Sequence, residues 1–241
     1  MADLLAVYNT ARRQLVDAVS GLDPQQLATT VPATPGWTVH DVVAHLASDV
    51  AGVLGNDFPA TWFVGVGQAA AIDALNEWTA RMVSQRRDVP LQTVIDAWGL
   101  DTEILLSALR GGATPEGVPP FVDAVLVTDL AVHSHDIYGA LGTSGDRESA
   151  ALRIAVASYL SGLQWWLPTL PGLQIVTEAK AYQCGSGNVD ATVHISRFEL
   201  FRALSGRRSP EQIRGYQWEG DPEPYLPAFA PYGVRADALV E

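Results

Sequence analysis

The sequence predicts a mostly α protein, a helical bundle followed by a small α+β unit, and three observations carry that expectation. Up to about residue 167, apolar residues recur at three- and four-residue spacing between Pro and Gly breaks, the period of amphipathic helices. After Pro168 the texture changes to β-branched alternation, in Leu173-Gln174-Ile175-Val176-Thr177 and again in Val189-Asp190-Ala191-Thr192-Val193-His194-Ile195. With 241 residues and 48% hydrophobic content, the chain can bury a substantial core in one large domain or two modest ones. The expected boundary lies near Pro168 to Gly172, giving a helical part over 1–168 and a C-terminal part over 169–241.

The elements follow in order. Leu4, Tyr8, Ala11, Leu15 and Ala18 fall at helical spacing until Gly21-Leu22-Asp23-Pro24 stops the run. Pro35-Gly36 then forces a turn, and Thr38 and Asp41 form a capping-box-like helix start. That second helix carries Val39, Val42, Val43 and Leu46, with His45 among them. Gly52 to Phe63 reads as a loop, with Phe58, Trp62 and Phe63 adding aromatic bulk at a pocket mouth or a cover. Gln68 to Arg87 is helical and ends in Arg86 and Arg87, ordinary partners for a helix C-terminus. Further helices span Leu91 to Leu109, a stretch around Leu126 to Leu141, and Asp146 to Trp166. In the C-terminal part, Gly185-Ser186-Gly187-Asn188 fits the turn of a hairpin between the candidate strands. Ser196 to Leu204 resumes as a helix, and Ser209-Pro210-Glu211-Gln212 opens another, with Pro at its first position and a capping-box Gln.

The chemistry concentrates in Thr128-Asp129-Leu130-Ala131-Val132-His133-Ser134-His135-Asp136-Ile137, which holds two of the five histidines. On a helix, Asp129 and His133 share a face one turn apart, with Asp136 one turn further along the same stripe. His135 points elsewhere. Such an acid–imidazole pair near apolar packing is either a pair of metal ligands or a satisfied buried network. His45 on its apolar stripe is a hydrogen-bonded core residue unless another helix offers ligands to match it.

Composition excludes several classes. The 15 Lys+Arg against 27 Asp+Glu give a formal net charge of −12, which argues against nucleic-acid binding through a cationic surface. No uninterrupted apolar run of about 18 residues appears, so no membrane span is expected. The N-terminus lacks a positive segment before its apolar residues, and a cytoplasmic protein is expected. The single cysteine, Cys184, rules out an internal disulfide and a multi-cysteine zinc cage.

Three stretches, in order, resemble one family. Thr34-Pro35-Gly36-Trp37-Thr38-Val39 with Ala44-His45-Leu46 resembles the second-helix signature of the DinB-like superfamily, specifically its mycothiol-dependent maleylpyruvate isomerase group. Asp129 to Asp136 is similar to that group's second signature. Phe198-Glu199-Leu200-Phe201-Arg202-Ala203-Leu204-Ser205-Gly206-Arg207-Arg208 resembles its C-terminal segment, a small sterol-carrier-like domain. The resemblance implies a DinB-like up-down four-helix bundle, with His45, Asp129 and His133 as ligands of a divalent metal. Zinc is the default, and nickel, iron or manganese also suit such a ligand set. Asp129 is one methylene shorter than the glutamate common at this position, and His135 stands where the family often has an aromatic residue.

The same resemblance implies mycothiol as thiol cosubstrate and a small electrophile, such as an unsaturated dicarboxylic acid, as substrate. A metal-bound thiol loses its proton and can add to an alkene or displace a leaving group, giving isomerisation or S-transfer. Hydrolysis by a bound hydroxide, or small-molecule binding without catalysis, are the other readings of the same bundle. Asp136 holds an imidazole N–H in the required tautomer or serves as an exposed partner. Trp37 stacks over the pocket, contributing to cosubstrate binding, or staples the helix start. Arg81, Arg207 and Arg208 are the candidate anion-binding cations, the last two competing with a plain polar-loop reading. His135 either enters the pocket or hydrogen-bonds outside it.

Overall fold

The computed structural model describes residues 3–59 and 69–241. Seven helices come first: α1 (Leu4–Val19), the short α2 (Pro24–Leu27), α3 (Val39–Gly55), α4 (Ala69–Ser84), α5 (Leu91–Arg110), α6 (Val122–Ala140) and α7 (Ala150–Trp166). Strands β1 (Pro171–Val176), β2 (Ala181–Cys184) and β3 (Ser186–His194) follow. The chain closes with α8 (Arg197–Leu204), α9 (Pro210–Arg214), β4 (Gln217–Glu219) and a 3₁₀ turn at Glu223–Phe229. Mostly α with a small sheet-bearing C-terminal part is the class expected from the sequence. Among the described residues, no helix is long and apolar enough to cross a membrane.

The chain divides into two compact units, residues 3–146 with Glu241, and 147–240. In the first unit α1, α6, α3 and α5 close a four-helix ring, in which α1 packs on α6 and α5, and α3 packs on the same two. α4 lies against α3. The helices α3 and α6 are buried on nearly every side; α3 buries Val42, Val43, Ala44, Leu46, Ala47, Val50 and Val53 alongside its polar residues. A helix apolar all round belongs in the interior. α3 starts on a reciprocal capping box, in which Thr38 Oγ1 accepts from the Asp41 backbone and Asp41 accepts from that of Thr38. Across the ring, buried Trp98 donates through Nε1 to the Tyr8 hydroxyl at 3.0 Å, tying α5 to α1.

The end of α3 corrects one expectation. The helix does not break at Gly52 but runs to Gly55, and Asn56 closes it in the left-handed conformation (φ 51°). Gly52 is there for contact rather than for a turn. A Cβ on it would lie 2.7 Å from the Trp78 ring, which packs on α3 and donates to Asp57 O at 2.7 Å. Trp62, Phe63 and Gln68 lie outside the described residues. At the end of α4, Arg86 reaches back to Met82 O, while Arg87 crosses to Asp41 at the start of α3.

In the second unit the sheet order is β2-β1-β3-β4. The expected hairpin between residues 173–177 and 189–195 is corrected: these strands are parallel neighbours, with Ile175 opposite Val193. The antiparallel partner of β1 is the short β2, whose Ala-Tyr-Gln-Cys sequence lacks β-branched residues. Between β2 and β3 the chain crosses the start of β1 at Gly185 (φ 78°), where a Cβ would fall 2.0 Å from Pro171 O. Only glycine fits that crossing. Leu173, Ile175, Ala191 and Val193 are buried at alternate positions, so one face of the sheet builds the core. α7 packs on α8 and β2, so the compact second unit begins one helix earlier than the change of sequence texture at Pro168. The helical pattern of α7 shows its structure but not which neighbour its apolar stripe covers.

Candidate metal centre

The centre lies between the two most deeply embedded helices of the first unit. From α3 comes His45, and from α6 come Asp129 and His133, at the i,i+4 spacing that puts both on one face. One ligand atom from each of the three lies within 4.8 Å of the other two. His45 Nε2 is 3.3 Å from Asp129 Oδ2, and His133 Nε2 is 3.7 Å from Asp129 Oδ1. The two imidazoles meet edge to face with centroids 4.7 Å apart. Both histidines are buried, while the Asp129 side chain keeps 24% of its surface exposed and marks where the cluster opens.

Carboxylates stand behind both rings. Asp136 Oδ2 lies 3.0 Å from His133 Nδ1, and Asp49 Oδ1 lies 3.5 Å from His45 Nδ1. Asp136 and Asp49 are each 1% exposed. A neutral His133 that carries its proton on Nδ1, toward Asp136, presents Nε2 to Asp129 as a lone pair. Oδ2 of Asp129 is buried without a well-aligned donor. Acceptors converging at this distance repel one another unless a cation or proton lies among them. The donor set of two imidazoles and one carboxylate therefore fits a divalent metal with open positions.

The electrostatics agree. Burial pushes the Asp129 carboxyl up, but the His133 and His45 imidazoles outweigh it and hold Asp129 below the ordinary carboxylate range. Burial, and then the charge of Asp129, push Asp49 well above its ordinary value. The two acids are thereby pushed apart, Asp129 toward the charged form and Asp49 away from it, the usual direction for two carboxyls sharing a buried site.

The other sequence-derived candidates are placed as follows. Trp37, just before α3, sets its ring against both imidazoles, with centroids 5.2 Å from His45 and 6.4 Å from His133. His135 is buried on another face of α6, edge-on to Tyr138 at 5.6 Å. Arg81 forms a bidentate, exposed pair with Asp57 at 3.0 and 3.3 Å. Arg207 and Arg208 belong to the second unit. There Arg207 donates to Ser205 O at 2.7 Å, and Arg208 grips Glu199 through two bonds of 2.8 Å. Of the candidates, the structure brings His45, Asp129, His133, Asp136 and Trp37 together. Asp49 is the member that reading the sequence missed. Its signal was present, because Asp49 stands to His45 as Asp129 stands to His133, four residues apart on one helix.

Comparison with known proteins bears on the same residues. The family model described as the mycothiol maleylpyruvate isomerase N-terminal domain matches residues 8–138, which include every member of the cluster. No curated protein matches the sequence. Two solved structures are similar in fold: a mutant of the mycothiol-dependent maleylpyruvate isomerase (TM-score 0.59, 15% identity) and that isomerase without the mutation (TM-score 0.53, 16% identity). In both comparisons 90% of this chain and 92% of the other are covered.

Proposed function

The chain belongs to the mycothiol maleylpyruvate isomerase N-terminal domain family, and from that premise we propose that it is a divalent-metal-dependent enzyme using mycothiol to isomerise a small electrophile or transfer sulfur to it. The observation that carries this reading is the convergence of His45, Asp129 and His133 within 4.8 Å. Zinc is the metal that this donor set favours, and the working compartment is the cytoplasm, where thiols stay reduced. When bound, the cation supplies the positive charge that favours thiolate over thiol, and the thiol supplies the nucleophile for cis–trans isomerisation of an unsaturated dicarboxylic acid or for S-transfer.

The chain's own residues do the rest. His45 and His133 present ring nitrogens from two helices whose packing leaves them little freedom, so the donors are aimed before any ligand arrives. Asp136 holds the Nδ1 proton of His133 and keeps that ring in one tautomer. Trp37 covers both imidazoles and excludes water from one side, which strengthens every charge interaction beneath it. Asp129, the most exposed of the three, contributes negative charge and faces the approach for substrates. The single cysteine is not the nucleophile in this reading, since the Cys184 thiol lies in β2 of the second unit and burial pushes it up to about 11.

The test is turnover of an unsaturated dicarboxylic acid such as maleylpyruvate by zinc-loaded protein, with and without mycothiol. Product that requires both metal and thiol supports the reading. Turnover that proceeds without thiol, or survives the loss of metal in His133→Ala, overturns it and points to hydrolysis or a metal-free route.

A further inference from the structure

Asp49 has no part in the reading just given, yet it is among the most deeply buried polar groups of the first unit. Resting on that reading of the metal centre, we propose that Asp49 is a positioning residue that keeps the proton of His45 on Nδ1 and so turns the Nε2 lone pair toward Asp129. Asp49 follows His45 by one helical turn, on the same face of α3. Its Oδ1 lies 3.5 Å from His45 Nδ1, while the opposite ring nitrogen lies 3.3 Å from Asp129 Oδ2.

A neutral imidazole has one proton for these two acceptors, so one of them receives a lone pair instead. The two oxygens that face the ring, Asp49 Oδ1 and Asp129 Oδ2, are both buried without a well-aligned donor. Their carboxyls differ: the Asp49 side chain is 2% exposed, whereas that of Asp129 is 24% exposed and also faces His133. The carboxyl with no other source of compensation is the costlier one to leave unmatched, so the proton belongs on the Asp49 side. Asp136 repeats the arrangement on His133, where a side chain 0% exposed faces Nδ1 at 3.0 Å. Both rings are then backed by a buried carboxyl and present Nε2 to the same point, from two different helices. An arrangement repeated on both imidazoles is what holding a metal requires.

The experiment reads the tautomer directly. Long-range proton–nitrogen NMR of the metal-free full chain assigns the protonated nitrogen of His45 in the parent, in Asp49→Leu and in Asp49→Asn. Zinc affinity is measured beside it by competition with a chromophoric chelator. The expected result is Nδ1–H in the parent and Nε2–H in Asp49→Leu, with zinc affinity lowered about 10- to 100-fold. Asp49→Asn keeps an acceptor oxygen and retains both the tautomer and most of the affinity. Nε2–H in the parent, or a tautomer and affinity unmoved by Asp49→Leu, overturns the assignment. Should Asp49→Leu fail to fold, the tautomer of the parent decides alone. A parent that binds no zinc but changes tautomer in Asp49→Leu would sink the metal reading while leaving Asp49 in its role.

Discussion

The two units of this chain each hold a half-buried carboxylate, and they compensate it in opposite ways. In the second unit, Glu199 accepts two bonds of 2.8 Å from Arg208 and one of 3.2 Å from the Tyr216 hydroxyl. Arg208 is 5% exposed and supplies the full counter-charge from within the chain. In the first unit, Asp129 faces His45, His133 and a second acid, Asp49, and among the described residues no Lys or Arg pairs with it. A satisfied cluster of the first kind is structural. One with converging acceptors and no permanent cation has room for an ion from outside.

The contrast can be broken from either side, and the largest effect is expected at Asp129. Asp129→Ala should lower zinc affinity more than 100-fold, beyond the 10- to 100-fold typical of partners behind the ligands. It should do so with the helical circular dichroism intact, because the four-helix core does not use this side chain. Isothermal titration with zinc checks it, and an unchanged affinity would place Asp129 outside the centre.

Arg208→Ala should do the reverse, leaving metal affinity alone and destabilising the second unit. Removing one partner of a fully buried pair costs about 3–5 kcal/mol. The Glu199 side chain is 35% exposed, and solvent screening brings the expected loss to about 2 kcal/mol. Urea denaturation followed by Trp218 fluorescence measures it.

The same pair predicts a pH dependence. Burial raises the Glu199 carboxyl, but Arg208 and Tyr216 together outweigh it and hold it below its ordinary value. A carboxyl lowered on folding contributes stability that is present above its unfolded pKa, about 4.3, and lost as pH falls through the lower folded value. The parent should therefore lose stability through that acid window, and Arg208→Ala should show a shallower loss. Equal slopes in the two proteins would remove Glu199 as the source.

The smallest effect is expected at the start of α3. Thr38→Ala removes the oxygen that accepts from the Asp41 backbone and should cost about 1 kcal/mol, with zinc affinity little changed. A large fall in affinity would mean that the capping box also fixes the position of His45.

Much of the first unit was legible in the sequence because helical spacing and family signatures act locally. His45, Asp129 and His133 follow from the motifs, and the capping box at Thr38 follows from residue types three positions apart. Asp49 escaped notice because α3 reads as a helix with a polar side, whereas packing on α4, α5 and α6 buries nearly all of its faces. The end of α3 was hidden for a similar reason: Gly52 looks like a breaker until Trp78 is seen lying on it. In the second unit, alternation marks a strand but not its partner. The parallel pairing of β1 with β3 depends on the crossing at Gly185, which no periodicity encodes.

The central claim is that the first unit leaves its buried acceptors for a metal ion, and metal content tests it most directly. The parent is purified with metal supplied during expression and compared with His45→Ala and His133→Ala. The account predicts about one divalent ion per chain in the parent, lost in both variants while the helical fold persists. A folded parent that stays metal-free under those conditions would contradict it, leaving the three donors as a buried polar network.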